Sequence, residues 1–169
     1  MNLELLNSLS HDEFVSAIGW VFEHSPWVAE RAWSRRPFAT IDALHKTMVD
    51  QVELASSEEQ LALLRAHPDL GTRARISDAS TEEQAGAGLD RLTLQEFDLL
   101  QRLNAEYRGK YGFPFLYAVK GSTKSDILKA MEARLTNTPQ QEYREALNNV
   151  YRIARFRLED SVRQGNGGR

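Results

Sequence analysis

The stretch Ser56-Ser57-Glu58-Glu59-Gln60-Leu61-Ala62-Leu63-Leu64-Arg65-Ala66-His67-Pro68-Asp69-Leu70-Gly71 holds the start, the body and the enforced end of one helix. Ser56 or Ser57 supplies an N-cap hydroxyl, and the apolar residues that follow recur at helical spacing. Pro68 has no N–H to donate and disfavours helical geometry in the residue before it, so the helix must end at His67. A side chain at that point is held firmly yet can face a cleft.

The same punctuation recurs outward in both directions. Ser10-His11-Asp12-Glu13 reads as a capping box opening a helix over Phe14 to Phe22, and Ser25-Pro26 places proline at a first helical position before Trp27 to Trp33. Thr40 caps Ile41 to Ala55, and Thr93 opens a helix from Leu94 to about Arg108 that Gly109 and Gly112 break. Further helices start at Ser125 and at Pro139, the last running to about Val162. Hairpin dipeptides of the Asn-Gly or Asp-Gly kind do not separate these runs, so the fold class is all-α. We expect a single compact multi-helix domain of about eight helices over residues 1–163, a flexible tail over 164–169, and no internal repeat. One stretch departs from the pattern: Phe113-Pro114-Phe115-Leu116-Tyr117-Ala118-Val119 is continuously apolar and lies between Gly112 and Gly121. It reads as a buried, extended segment whose backbone N–H and C=O groups need partners, from neighbouring protein or from a ligand rich in planar amides.

Composition narrows the function. A chain of 169 residues with 41% hydrophobic and 27% charged residues can build one proper core. The net charge of −3 is spread along the chain, without the basic stripe that nucleic acid or an anionic membrane would require. With no cysteine, disulfides, thiolate nucleophiles and Cys-ligated metal sites are excluded. Met1-Asn2-Leu3-Glu4 lacks a positive n-region, and no apolar run approaches the roughly 20 residues that span a bilayer, so a cytoplasmic location is expected.

His67 is the strongest acid–base candidate, because imidazole gives or takes a proton near neutrality and this one is rigidly placed. A histidine at a helix C-terminus is also favoured by the macrodipole alone, and that structural reading stands beside the catalytic one. His11 and His24 compete less well, and His45, near the face formed by Ile41, Leu44, Met48 and Val52, reads as a hydrogen-bonded core histidine. No two histidines have zinc-ligand spacing, so no metal is expected. Ser80-Thr81-Glu82-Glu83 has the spacing of a capping box, with Ser80 at the N-cap. Gln84 follows Glu83, and Ala85-Gly86-Ala87-Gly88 then allows close approach of a ligand or backbone, while first-turn N–H groups could bind an anion. This run follows no strand and lacks a P-loop lysine, which argues against nucleotide binding. Projection at about 100° per residue puts Arg157 between Ala146, Val150 and Ala154, inside the apolar stripe of the last helix, with Arg152 and Arg155 on the solvated side. A buried guanidinium cannot shed its charge, so it needs a carboxylate partner or a bound anion. Glu83 or a substrate carboxylate could serve, and a structural salt bridge is the alternative.

Taken together, His67-Pro68-Asp69-Leu70-Gly71, Ser80-x-x-Glu83-Gln84-Ala85-Gly86, Tyr111-Gly112-Phe113-Pro114-Phe115 and Ala154-Arg155-Phe156-Arg157-Leu158 resemble, in order and separation, the 2-oxo-4-hydroxy-4-carboxy-5-ureidoimidazoline (OHCU) decarboxylases. The resemblance runs from the first helix to about Asp160. It implies an all-helical homodimer that removes carbon dioxide from OHCU to give (S)-allantoin in urate breakdown, with no metal or organic cofactor. Carried over by motif position, it implies His67 as the acid–base residue with Glu83 as its partner. Pro68, Ser80, Thr81, Glu82, Gln84 and Arg157 are implied as substrate contacts, with the backbone of Phe115, Leu116, Tyr117, Ala118 and Val119 holding the ureide. The end in Gly168-Arg169 does not match a peroxisomal signal, in keeping with a cytoplasmic location. Trp27, Trp33 and Phe38 are candidates for an exposed dimer face. Two other readings remain open on the sequence: a non-catalytic helical binding module in which His67 and Glu83 merely cap helices, and an enzyme of the same fold acting on another cyclic ureide or carboxylate.

Overall fold

Helix caps do divide the chain. The computed structural model describes residues 1–72 and 77–163, and the tail from residue 164 lies outside them. Among the described residues there are α1 (Leu3–Ser8), α2 (His11–Ile18), a 3₁₀ turn (Gly19–Val21), α3 (Trp27–Trp33), α4 (Ile41–Glu53), α5 (Ser57–Arg65), α6 (Asp78–Gly86), α7 (Leu94–Tyr111), α8 (Lys124–Arg134) and α9 (Pro139–Ser161), and no strand. The class is all-α, with nine helices where about eight were expected. The additional one is α1, capped by Asn2 through a 2.7 Å bond from the Leu5 N–H.

The caps follow their chemistry. Ser10 with Glu13, Ser56 with Glu59 and Thr93 with Glu96 each form a reciprocal capping box, and Thr40 accepts from the Ala43 N–H. The boundaries of α2, α8 and α7 differ from expectation. α2 gives way at Gly19 to a 3₁₀ turn instead of continuing to Phe22. α8 begins at Lys124, one residue before Ser125, because Thr123 and Asp126 form its capping box. α7 passes straight through Gly109 and stops at Gly112, whose φ of 79° gives the left-handed turn that ends helices. An exposed mid-helix glycine costs about 1 kcal/mol in helix propensity, too little to break a helix held by tertiary packing.

The chain divides into two compact units, one formed by Met1–Ala66 with the part from Tyr151 onward, the other by His67–Val150. Helix α9 thus contributes its first half to the second unit and its second half to the first. In the first unit α3 packs on both α2 and α4, and Phe14 stacks on Phe38 at 6.3 Å. Phe38 is buried, so it cannot belong to an exposed dimer face. The heptad-like spacing of Ile41, Leu44, Met48 and Val52 buries one face of α4. His45 flanks that face and donates from Nε2 to the Tyr151 carbonyl, 2.8 Å away, which is the hydrogen-bonded core role expected of it.

In the second unit α7 buries Leu100, Leu103, Asn104 and Tyr107, and α8 buries Ile127, Met131 and Arg134. The 113–119 segment is neither helix nor strand, and Phe113, Phe115, Leu116, Ala118 and Val119 are buried in it. Full burial of a Phe, Leu or Val side chain is worth about 1.5–3 kcal/mol.

Candidate active site

The turn that follows α5 carries the histidine. Helix α5 ends at Arg65 with Ala66 as its C-cap, and His67 follows as a buried residue. Three bonds fix the turn behind it. The Gly71 N–H donates to Gln84 Oε1 at 2.8 Å, Asn104 Nδ2 donates to the Leu70 carbonyl at 3.0 Å, and Arg108 pairs with Asp69 at 2.9 Å. Gly71 is required here twice over. Its φ is +70°, and a Cβ would strike Leu100 Cδ2, a side chain that is itself fully buried.

Helix α6 begins three residues earlier than the Ser80 capping box predicts. Ser77 is the N-cap, and its hydroxyl accepts from the Ser80 N–H at 3.2 Å. Ser80 is therefore a first-turn residue and not a cap, so the Ser80-x-x-Glu83 spacing reports something else. Residues 80, 83 and 84 stand at i, i+3 and i+4, one face of the helix. On that face Ser80 and Gln84 are buried and Glu83 is half-buried, while Thr81 and Glu82 are exposed. The two motifs brought forward by the sequence thus meet: Gln84 of α6 holds the turn that carries His67.

The 113–119 segment finds part of its hydrogen bonding in the protein. The Leu116 carbonyl accepts from Arg134 Nη1 at 2.6 Å, the Ala118 N–H donates to Asn149 Oδ1 at 3.0 Å, and the Val119 carbonyl accepts from the Ser122 N–H at 3.0 Å. Among the described residues the N–H and C=O of Phe115 and Tyr117, the N–H of Leu116 and Val119 and the C=O of Ala118 make no hydrogen bond.

Arg157 lies in the first unit, and both it and Glu23 are buried. Its Nη2 meets Glu23 Oε2 at 2.8 Å, its Nη1 donates to the Trp20 carbonyl at 3.3 Å, and its guanidinium carbon stands 5.9 Å from the Trp20 ring centroid. The carboxylate that a buried arginine demands is thus Glu23, a residue the sequence reading did not consider. Its signal was present, since Glu23 is an acid directly after the apolar pair Val21-Phe22. The same holds for Arg134 and Glu142. Arg134 sits seven residues after Ile127 and three after Met131, on a buried stripe, as Arg157 does in its own helix. Glu142 is fully buried and bonded to Arg134 Nη2 at 2.7 Å, to Asn137 Nδ2 at 2.9 Å and to the Tyr107 hydroxyl. Burial pushes the Glu142 pKa up, but these donors outweigh it and hold the carboxyl below its ordinary value. Burial and the bond to Glu142 push the Tyr107 phenol up.

An all-helical architecture of this kind is found in a solved protein, the crystal structure of (S)-allantoin synthase. That match has a TM-score of 0.80 and 33% identity, and spans 96% of this chain and 54% of that one. The family model for OHCU decarboxylase matches residues 7–159. A 2-oxo-4-hydroxy-4-carboxy-5-ureidoimidazoline decarboxylase of Halalkalicoccus jeotgali is 49% identical over 95% of this chain and 91% of its own length. A uric acid degradation bifunctional protein of a Bacillus species is 46% identical over 98% of this chain and 33% of its own. The chain belongs to the OHCU decarboxylase family, a family of carboxy-lyases.

Proposed function

We propose that this protein decarboxylates OHCU to (S)-allantoin in urate degradation, using His67 as acid–base residue with Glu83 as its partner and no metal or organic cofactor. The observation that carries this reading is the family match across residues 7–159, which contains all four motifs. The substrate brings its own electron sink, a ring C=N bond next to the carbon that bears the carboxylate and the hydroxyl. When the carbon–carboxylate bond breaks, carbon dioxide leaves and the electron pair moves toward that C=N, whose nitrogen takes a proton. The resulting enol then gives up its hydroxyl proton to become a carbonyl while the adjacent carbon gains a proton on one face. A rigidly mounted imidazole suits delivery to one face, and so to a single enantiomer. Glu83 orients His67 or shares the hydroxyl proton.

Pro68, Ser80, Thr81, Glu82, Gln84 and Arg157 are assigned to substrate contact, and the 115–119 backbone to the ureide. The main-chain groups of Phe115, Tyr117 and Val119 that lack partners among the described residues support that last assignment, since buried amides require a partner. Arg157 already has its charge balanced by Glu23. It therefore suits orientation of the substrate better than tight binding of the departing carboxylate, which would stabilise the ground state. The protein acts as a cytoplasmic homodimer in this reading.

The test is to generate OHCU in situ from urate with urate oxidase and hydroxyisourate hydrolase, add the protein, and follow circular dichroism of the allantoin formed. Rapid formation of the (S)-enantiomer by wild type, lost in His67→Ala and Glu83→Ala, is the expected result. Racemic product at the spontaneous rate would sink the reading in favour of a binding module or another substrate.

A further inference from the structure

Arg134 divides its guanidinium between two jobs. Nε and Nη2 hold Glu142, Nε at 3.0 and 3.1 Å and Nη2 at 2.7 Å, while Nη1 is spent on the Leu116 carbonyl at 2.6 Å. Its guanidinium carbon stands 4.4 Å from the Phe115 ring centroid. Asn149 does the complementary task at Ala118: Oδ1 accepts the Ala118 N–H at 3.0 Å, and Nδ2 is tied to Glu145 through its carbonyl at 2.9 Å and its carboxylate at 3.1 Å. Both side chains are buried, Asn149 at 2% exposure. A buried ion pair is weak grounds for stability, since apolar residues of like volume serve as well, so the bond to a main-chain carbonyl calls for another account.

Along an extended backbone the N–H and C=O of successive residues point to alternate edges. Leu116 and Ala118 are alternate residues of this segment, and Arg134 and Asn149 grip one main-chain group of each. Phe115, Tyr117 and Val119 alternate with them, and the N–H and C=O of Phe115 and of Tyr117 and the Val119 N–H form an alternating row of donors and acceptors without partners among the described residues, while the Leu116 N–H and the Ala118 C=O also lack one. A ureide, planar and alternating N–H with C=O, is the complement of such a row.

We propose that Arg134 and Asn149 are positioning residues that grip the 115–119 backbone at Leu116 and Ala118 so that its main-chain groups without partners among the described residues are presented to the ureide of the substrate, a proposal that rests on the decarboxylase reading. Two variants test it. Asn149→Leu keeps the volume and removes the acceptor, and Arg134→Lys keeps a cation for Glu142 and removes the forked geometry that also reaches Leu116. Either variant carries the test should the other fail to fold. The readouts are amide hydrogen exchange of the 113–119 segment without substrate, and KM and kcat with OHCU made in situ. The expected result is exchange in the segment faster by about tenfold or more, with KM raised roughly tenfold while kcat stays within about twofold. Unchanged exchange would show that these bonds do not hold the segment, and faster exchange with unchanged KM would show that the grip does not serve recognition; either overturns the proposal while leaving the decarboxylase reading intact. A wild-type protein that does not turn over OHCU defeats that reading, and the proposal with it.

Discussion

At the scale of single residues, the hydrogen bond from the Gly71 N–H to Gln84 Oε1 explains how two motifs separated in sequence become one construction. Gly71→Ala would force a side chain into a left-handed backbone and against Leu100. We expect a loss of about 1–3 kcal/mol in chemical denaturation, together with a fall in kcat because the turn that carries His67 must shift. Arg157 poses the opposite problem. Arg157→Met leaves the Glu23 carboxylate buried without its cation, and should cost about 3–5 kcal/mol, of which the Glu23→Gln, Arg157→Met double variant recovers a large part. Additive losses measured by urea denaturation would contradict that coupling. His67 itself was legible from the proline after it, because Pro68 acts through local geometry. Glu23, Arg134 and Glu142 were not singled out, since each owes its burial to partners distant in sequence, and only Arg157 was read as a charge on an apolar stripe.

At the scale of elements, most of the fold was legible because helix starts are written in local side-chain chemistry. Four capping boxes lie where Ser or Thr precedes Glu or Asp by three residues. The same rule misled at α6, where Ser80-x-x-Glu83 marks an inward face and the cap is Ser77, whose own third residue onward is Ser80. A cap and a buried i, i+3 face share one spacing, and only burial separates them. The difference is measurable. Ser77→Ala should lower stability by about 1 kcal/mol, as loss of a cap does, with KM little changed. Ser80→Ala, which removes no cap, should instead raise KM with the smaller effect on the melting temperature. The 113–119 segment was recognised by its unbroken apolar run and its proline, but the side chains that bond its backbone come from α8 and α9 and could not be read from the segment itself.

At the scale of the whole molecule, acid should destabilise the fold in two stages. Burial lowers the His45 pKa below its ordinary 6.5, although its bond to the Tyr151 carbonyl pulls the other way, so the folded chain binds this proton less readily than the unfolded chain. Stability from that source is complete above pH 6.5 and is lost as pH falls below it. Glu142 is held below its ordinary 4.5, so its contribution is complete above that pH and is lost as pH falls further. Melting temperatures across the acid range should therefore decline first below 6.5 and then more steeply below 4.5, and His45→Gln should flatten the first decline alone.

All three tryptophans, Trp20, Trp27 and Trp33, fall in the unit that contains the N-terminus, each with an arginine over its ring: Arg157 at 5.9 Å, Arg31 at 4.5 Å and Arg36 at 4.2 Å. The unit of residues 67–150, with His67 and α6, contains none. Indole emission is thus a private optical channel to one unit, whereas far-ultraviolet dichroism sums the helices of both. Overlaid melts from the two signals would mean that the chain unfolds as a single cooperative block, and separated ones that the half bearing the histidine keeps its own thermal calendar.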